Sequence, residues 1–192
     1  RSDNGYIRCR YKEMTIIAKN DSISLTGSVS KSVHGNNVNR LLYVEFVNWV
    51  EEISTSLGID IADFTVGKID LNFDIPTIYP PYLYQRNIIR LKHSQKFQAD
   101  RNTIYCKALD YTIRVYDKEK EANNYNPYLG NNLRIEFAIK KRLGFYLFGG
   151  GYVTVRDIIS EHGYKSLYQL AFKFFSRMVM LNKDDTLDFG QC

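Results

Sequence analysis

The sequence predicts an α+β fold, an antiparallel β-sheet with helices packed on one face, and three observations carry that reading. Segments that alternate apolar and polar residues with a period of two recur along the chain. Two longer segments carry apolar stripes at helical spacing, one after Asn37 and one towards the C-terminus. Strands and helices do not alternate strictly, which favours antiparallel pairing over a parallel sheet. With 192 residues the chain reads as a single domain with room for a sizeable core. It begins with Arg1 and ends at FGQC, so it is expected to be an excised or processed domain, truncated at the termini and short of an N-terminal strand.

Taken in order, Gly5 to Lys19 and Ser22 to Ser30 alternate as two or three antiparallel strands, with AKNDS as a hairpin turn. SKSVHGNNVNR is rich in Gly and Asn and reads as a loop. A helix is expected over Val38 to Leu57, capped by Asn37 or Asn39 and ended by Gly58. Its stripe includes Leu41, Phe46, Trp49, Val50 and Ile53 and should cover the core face of the sheet. Strand Gly67 to Pro76 follows, stopped by Pro76, Pro80 and Pro81. Tyr82 to His93 fits a helix or an extended loop, and the helix is preferred. Arg101 to Asp117 reads as a hairpin turned near Leu109 and Asp110. DKEKEANNYNPYLGNN is a long loop opening with a helical turn, and strand Leu133 to Lys140 follows. Thr154 suits an N-cap for VRDIISEHG, and a last amphipathic helix is expected over about Ser166 to Leu181.

Composition narrows the function classes. Hydrophobic residues at 44% and charged residues at 24% suit a globular chain that folds. The net charge of +5 points to an anionic partner, with nucleic acid first. The 15 Tyr and 11 Phe offer flat faces on which unpaired bases stack, besides filling the core. Cys9, Cys106 and Cys192 are odd in number and lack metal-ligand spacing, which argues for a reducing, cytosolic setting without a disulfide framework. No signal peptide or membrane-length apolar run is present in the sequence.

The chemistry concentrates in GKIDLNFDIP. Ile69, Leu71, Phe73 and Ile75 face one way; Lys68, Asp70, Asn72 and Asp74 face the other, successive members about 7 Å apart. Arg114 and Tyr116, then Arg134 and Glu136, fall on the outward positions of two further strands. If these strands share a sheet, its polar face offers room for a divalent metal beside a phosphate and a tyrosine. Hard oxygen ligands without His or Cys favour Mg²⁺ or Mn²⁺ over Zn²⁺. The plainer alternative is that Asp70 and Asp74 pair with Lys68, Arg114 and Arg134. A free phenol ionises near pH 10, so a nucleophilic tyrosine needs a metal or a nearby cation, for which Lys118 or Arg114 is placed. Tyr105, with Thr103 and Lys107 on the facing hairpin strand, competes with Tyr116, and Tyr111 is weaker. His34 sits in the loop VHGNN. Lys140, Lys141 and Arg142 suit either a DNA backbone or a solvated strand end. Gly149 to Gly151 lack the Lys-Ser/Thr of a P-loop and read as a flexible turn.

Four segments in this order resemble the replication initiators of filamentous phages, the gene II protein family, and more loosely the rolling-circle plasmid initiators. They are SVSKSVHGNNV before an apolar helix, VGKIDLNFDIP, TIRVYDKEKE and LRIEFAIKKRLG. Lys68 stands where the family has Arg, and the wider superfamily's His-hydrophobic-His metal pair is absent from the sequence. The resemblance implies a rolling-circle nuclease-like fold and an enzyme that nicks one strand at an origin in the cytoplasm of a bacterial host. A tyrosine stays joined to the 5′ end and frees a 3′-OH for the host replication machinery; later it rejoins the displaced strand. Carried over by residue, it implies Tyr116 as nucleophile with Tyr105 as rival, and Asp70, Asp74 and Glu136 as metal carboxylates with Asn72 possible as a fourth ligand. The substrate would be single-stranded or melted origin DNA. The alternatives are a non-catalytic DNA-binding module of the same fold and a metal-dependent nuclease that uses water.

Overall fold

The computed structural model describes residues 6–92, 96–100, 102–121, 131–140 and 142–180. The fold is α+β, and the chain divides into two compact units, Arg1–Phe64 and Thr65–Cys192. In the first, β1 (Tyr6–Tyr11), β2 (Met14–Lys19) and β3 (Ser22–Gly27) form an antiparallel meander. The chain reverses at Lys12 and Asn20, both with φ of 49°, so tight two-residue turns separate the strands. Met14 and Ile16 on β2 are buried, as the alternation requires.

Two helices of this unit differ from the sequence expectation. SKSVH is helical rather than a loop: α1 spans Val29–His34 because the Ser28 side chain accepts from the Lys31 N–H and Gly35, at φ 74°, closes the end. The next helix, α2 (Tyr43–Leu57), starts five residues later than expected and uses neither Asn37 nor Asn39 as its cap. Instead the Glu45 carboxylate accepts from the Leu42 N–H at 2.7 Å, while the Asn36 side chain accepts from Val38 and Asn39 and holds them in a turn. Trp49, Val50 and Ile53 form its buried stripe, and Trp49 Nε1 donates to Ser32 Oγ on α1 at 2.9 Å. Gly58 ends α2 as expected.

The second unit opens with β4 (Ile69–Thr77), α3 (Pro81–Gln85), β5 (Ile88–Leu91), β6 (Lys96–Asp100), β7 (Thr103–Lys107) and β8 (Tyr111–Asp117). It continues with α4 (Lys118–Glu121), β9 (Asn131–Ile139), α5 (Leu143–Phe148), α6 (Val155–Ile159), α7 (Glu161–Phe175) and β10 (Met178–Met180). Five strands form one antiparallel sheet in the order β4-β9-β8-β7-β6, and β10 pairs with β5. The expected helix over 82–93 ends at Gln85, and the β-branched Ile88 and Ile89 enter a strand. His93 and the long loop over 122–130 lie outside the described residues. Ser160, whose side chain accepts from the Gly163 N–H, starts α7 earlier than expected, and pairing with β5 turns Met178–Met180 into strand. Thr154 caps α6, with reciprocal bonds to and from Asp157 that hold this carboxyl below the usual carboxylate range.

The apolar face of the five-stranded sheet packs against α7. Phe73 meets Phe137, Tyr168 and Phe172 with ring centroids 5.8, 5.5 and 5.4 Å apart, and Tyr111 stacks on Phe174 at 4.0 Å. Ile113, Val115, Phe137 and Ile139 complete this layer and are almost wholly buried. Cys106 lies in the same layer, and burial pushes its thiol up to about 11.

Candidate active site

Because side chains alternate across the pleat, the register that buries Leu71, Phe73, Ile113 and Phe137 sends their neighbours to the opposite face. Three rows result, read from β4 through β9 and β8 to β7. They are Asp74, Arg134, Tyr116 and Thr103; then Asn72, Glu136, Arg114 and Tyr105; then Asp70, Ala138, Thr112 and Lys107. Directly opposed side chains have Cβ atoms about 5 Å apart, close enough to bond across strands. The acidic strand, the arginines and both rival tyrosines therefore share one surface, as the alternation predicts.

The charges on this surface are matched in series. Arg134 Nε and Nη2 donate to the two carboxylate oxygens of Asp74, each at 2.6 Å. Burial works against the Arg134 charge, but the hydrogen bonds and charge of Asp74 outweigh it and raise the guanidinium above its ordinary value. The Tyr116 hydroxyl donates to Glu136 Oε2 at 3.2 Å, and Arg114 Nη2 holds Glu136 Oε1. The same Arg114 nitrogen lies 4.0 Å from Asp70 Oδ2, which also accepts from Lys68 Nζ at 2.7 Å. Each carboxylate thus faces a cation: the pairing of Asp70 and Asp74 with lysine and arginine that the sequence offered as the plainer alternative is present.

The carboxylates of this face are of two kinds. Both oxygens of Asp74 are taken by Arg134, so this residue braces two strands. Asp70 and Glu136 instead flank one guanidinium, that of Arg114, so they already hold positive charge between them; Asn72 lies directly opposite Glu136. This pair with the Asn72 amide is the oxygen-rich set whose chemistry suits Mg²⁺ or Mn²⁺. Among the described residues, no group of three or more His, Cys, Asp or Glu side chains gathers as a metal cluster would.

The tyrosines differ in access. Tyr116 is 8% exposed, with its hydroxyl on Glu136, and Lys118, a residue 2% exposed, has its ammonium 6.0 Å from the Tyr116 ring centroid. Tyr105 is half-buried one row away, opposite Arg114, with the Lys107 ammonium 5.6 Å from its ring centroid. Tyr111 belongs to the apolar layer. His34 lies in the first unit, its Nε2 3.4 Å from Glu45 Oε2. Lys140 is exposed just beyond β9, and Arg142 Nη1 is 3.7 Å from Asp110 Oδ2. Lys141 lies outside the described residues.

Sequence reasoning missed Tyr82, whose ring has the Arg86 guanidinium 5.5 Å and the Lys120 ammonium 5.9 Å from its centroid. Tyr82 and Arg86 are four residues apart after the prolines that start α3, a helical pair readable once that helix is recognised. No family model, curated protein or solved structure matches the chain.

Proposed function

We propose that this protein nicks and rejoins single-stranded DNA through a tyrosine, in the manner of the rolling-circle replication initiators it resembles, with Tyr105 as the nucleophile. The observation that carries the reading is that Tyr105 stands beside Arg114 on a polar face, and the same guanidinium is flanked by Asp70 and Glu136. Tyr116, the residue the resemblance names first, has its hydroxyl engaged with Glu136 and little exposure, which suits a residue that orients the carboxylate.

In the forward step the Tyr105 hydroxyl loses its proton to solvent and its oxygen bonds to phosphorus. The bond from phosphorus to the 3′ oxygen breaks, that oxygen takes up a proton, and the 5′ phosphate stays on tyrosine. The reverse step rejoins the strand. The Lys107 ammonium, 5.6 Å from the Tyr105 ring centroid, places positive charge beside the nucleophile, and Arg114 meets the charge of the phosphate oxygens. Asp70, Glu136 and Asn72 would hold a divalent cation, which supplies further charge neutralisation when bound. Arg134 and Asp74 brace β9 against β4, and Tyr116 keeps Glu136 turned into the face.

A second reading, a DNA-binding module without catalysis, is favoured by the cation found against each carboxylate. One assay separates the readings: 3′-labelled single-stranded oligonucleotides incubated with Mn²⁺ and resolved on a denaturing gel. The expected result is a protein-DNA adduct with wild type and with Tyr116→Phe, and none with Tyr105→Phe. An adduct lost in Tyr116→Phe alone transfers the nucleophile to Tyr116. Cleavage without adduct points to water as the nucleophile, and binding without cleavage points to the module.

A further inference from the structure

Beyond β9 the chain builds a second surface of different character. Arg142 takes the left-handed conformation, with φ of 57°, a strained choice for a residue with a side chain. Its guanidinium carbon sits over the Phe145 ring, 4.4 Å from the centroid, and its Nη1 is 3.7 Å from Asp110 Oδ2. After α5 the chain doubles back over the first turn. A Cβ on Gly144 would come 2.0 Å from the Gly151 carbonyl oxygen, so only glycine permits this approach, and Gly150 N donates to Gly144 O at 3.2 Å. Val153, 2% exposed and accepting from Val66 N at 2.8 Å, anchors the other side. Between these fixed points Tyr152 is 90% exposed, and Phe145 and Phe148, one helical turn apart on α5, are 52% and 44% exposed.

We infer that Phe145, Phe148 and Tyr152, with Lys140 and Arg142, form a docking surface for single-stranded DNA, the bases stacking on the rings and the backbone passing the two cations. Three exposed rings beside fixed positive charge suit unpaired bases, because every base has a face to stack and every nucleotide a charge to neutralise. An apolar protein partner would be served by the rings but not by the arginine laid across one of them. The surface also continues from the proposed active face: Lys140 follows Glu136 by four residues, roughly 13 Å along the strand direction. It is therefore placed to take the nucleotides that flank the reacting phosphate. The choice of DNA rests on the proposed function; the stacking surface itself does not.

The test is equilibrium binding of a fluorescein-labelled oligothymidylate of about ten nucleotides, read by anisotropy without added metal so that no cleavage is needed. Tyr152→Ala is expected to raise Kd by about tenfold, and Phe145→Ala with Phe148→Ala to raise it further. Arg142→Ala should lower the slope of log K against log salt by about one. Tyr152 is so exposed that its removal leaves the fold intact, and circular dichroism checks the other variants. Affinity unchanged within about twofold in the triple alanine variant overturns the proposal, while the adduct assay still judges the nicking reading separately. Loss of concentration-dependent self-association in that variant, with DNA affinity intact, overturns it in favour of a protein interface.

Discussion

Arg134 on β9 grips Asp74 on β4 through two parallel hydrogen bonds of 2.6 Å, and the arginine is 3% exposed. Removing one partner of such a pair strands the other without its counter-charge. Arg134→Ala is expected to lower stability by about 3 kcal/mol, the low end of the range for a buried pair because Asp74 keeps some contact with water. Arg134→Lys restores the charge but not the fork and should recover only part. Urea denaturation with an unchanged m-value reads the difference, and equal midpoints for wild type and Arg134→Ala would sink the bracing role.

Arg114 occupies the space between Asp70 and Glu136, so it competes with any cation those carboxylates would bind. In Arg114→Ala the two face each other without it. Mn²⁺ should then raise Tm at lower concentration than in wild type, even as adduct formation falls. A variant no more responsive to Mn²⁺ than wild type would show that these carboxylates are not the metal site.

Tyr146 on α5 donates to Asp110 at 3.0 Å, and its phenol is raised above the usual value by burial and by that carboxylate. A phenol raised on folding stabilises fully below its unfolded value, near pH 10, and this contribution is lost as pH rises through the folded value. Wild type should therefore lose stability above about pH 10 more steeply than Tyr146→Phe, with the two parallel in slope between about pH 6 and 9. Urea midpoints from about pH 6 to above about pH 10 decide it; equal alkaline slopes would remove the linkage.

Much of the candidate face was legible because a two-residue period is a strong signal: Asp70, Asn72 and Asp74 alternate with Leu71 and Phe73, and the faces follow. Pairing of Asp70 and Asp74 with lysine and arginine was among the readings, but which arginine meets which carboxylate, Arg134 with Asp74 and Arg114 with Glu136, was not, since it depends on cross-strand register, which no single strand encodes. The relative access of Tyr105 and Tyr116 was equally hidden, as both fall on outward positions. Helix α1 was obscured by the Gly and Asn that follow it, although Ser28 was a readable cap. Met178–Met180 continues the apolar spacing of α7, and only pairing with β5 makes it strand.

During synthesis β4 has no partner to meet at once. Its ladder to β9 joins Asp74 to a residue sixty positions later, so at ribosomal speed the strand waits roughly 3 to 12 seconds for that partner. A nine-residue segment with Ile69, Leu71, Phe73 and Ile75 along one side is a template for aggregation while it waits. Asp70, Asp74 and Pro76 are the residue types that block such pairing. The carboxylates of the proposed catalytic face are thus gatekeepers of the nascent chain before they are anything else, and neutral substitutions there should reduce soluble yield as well as activity.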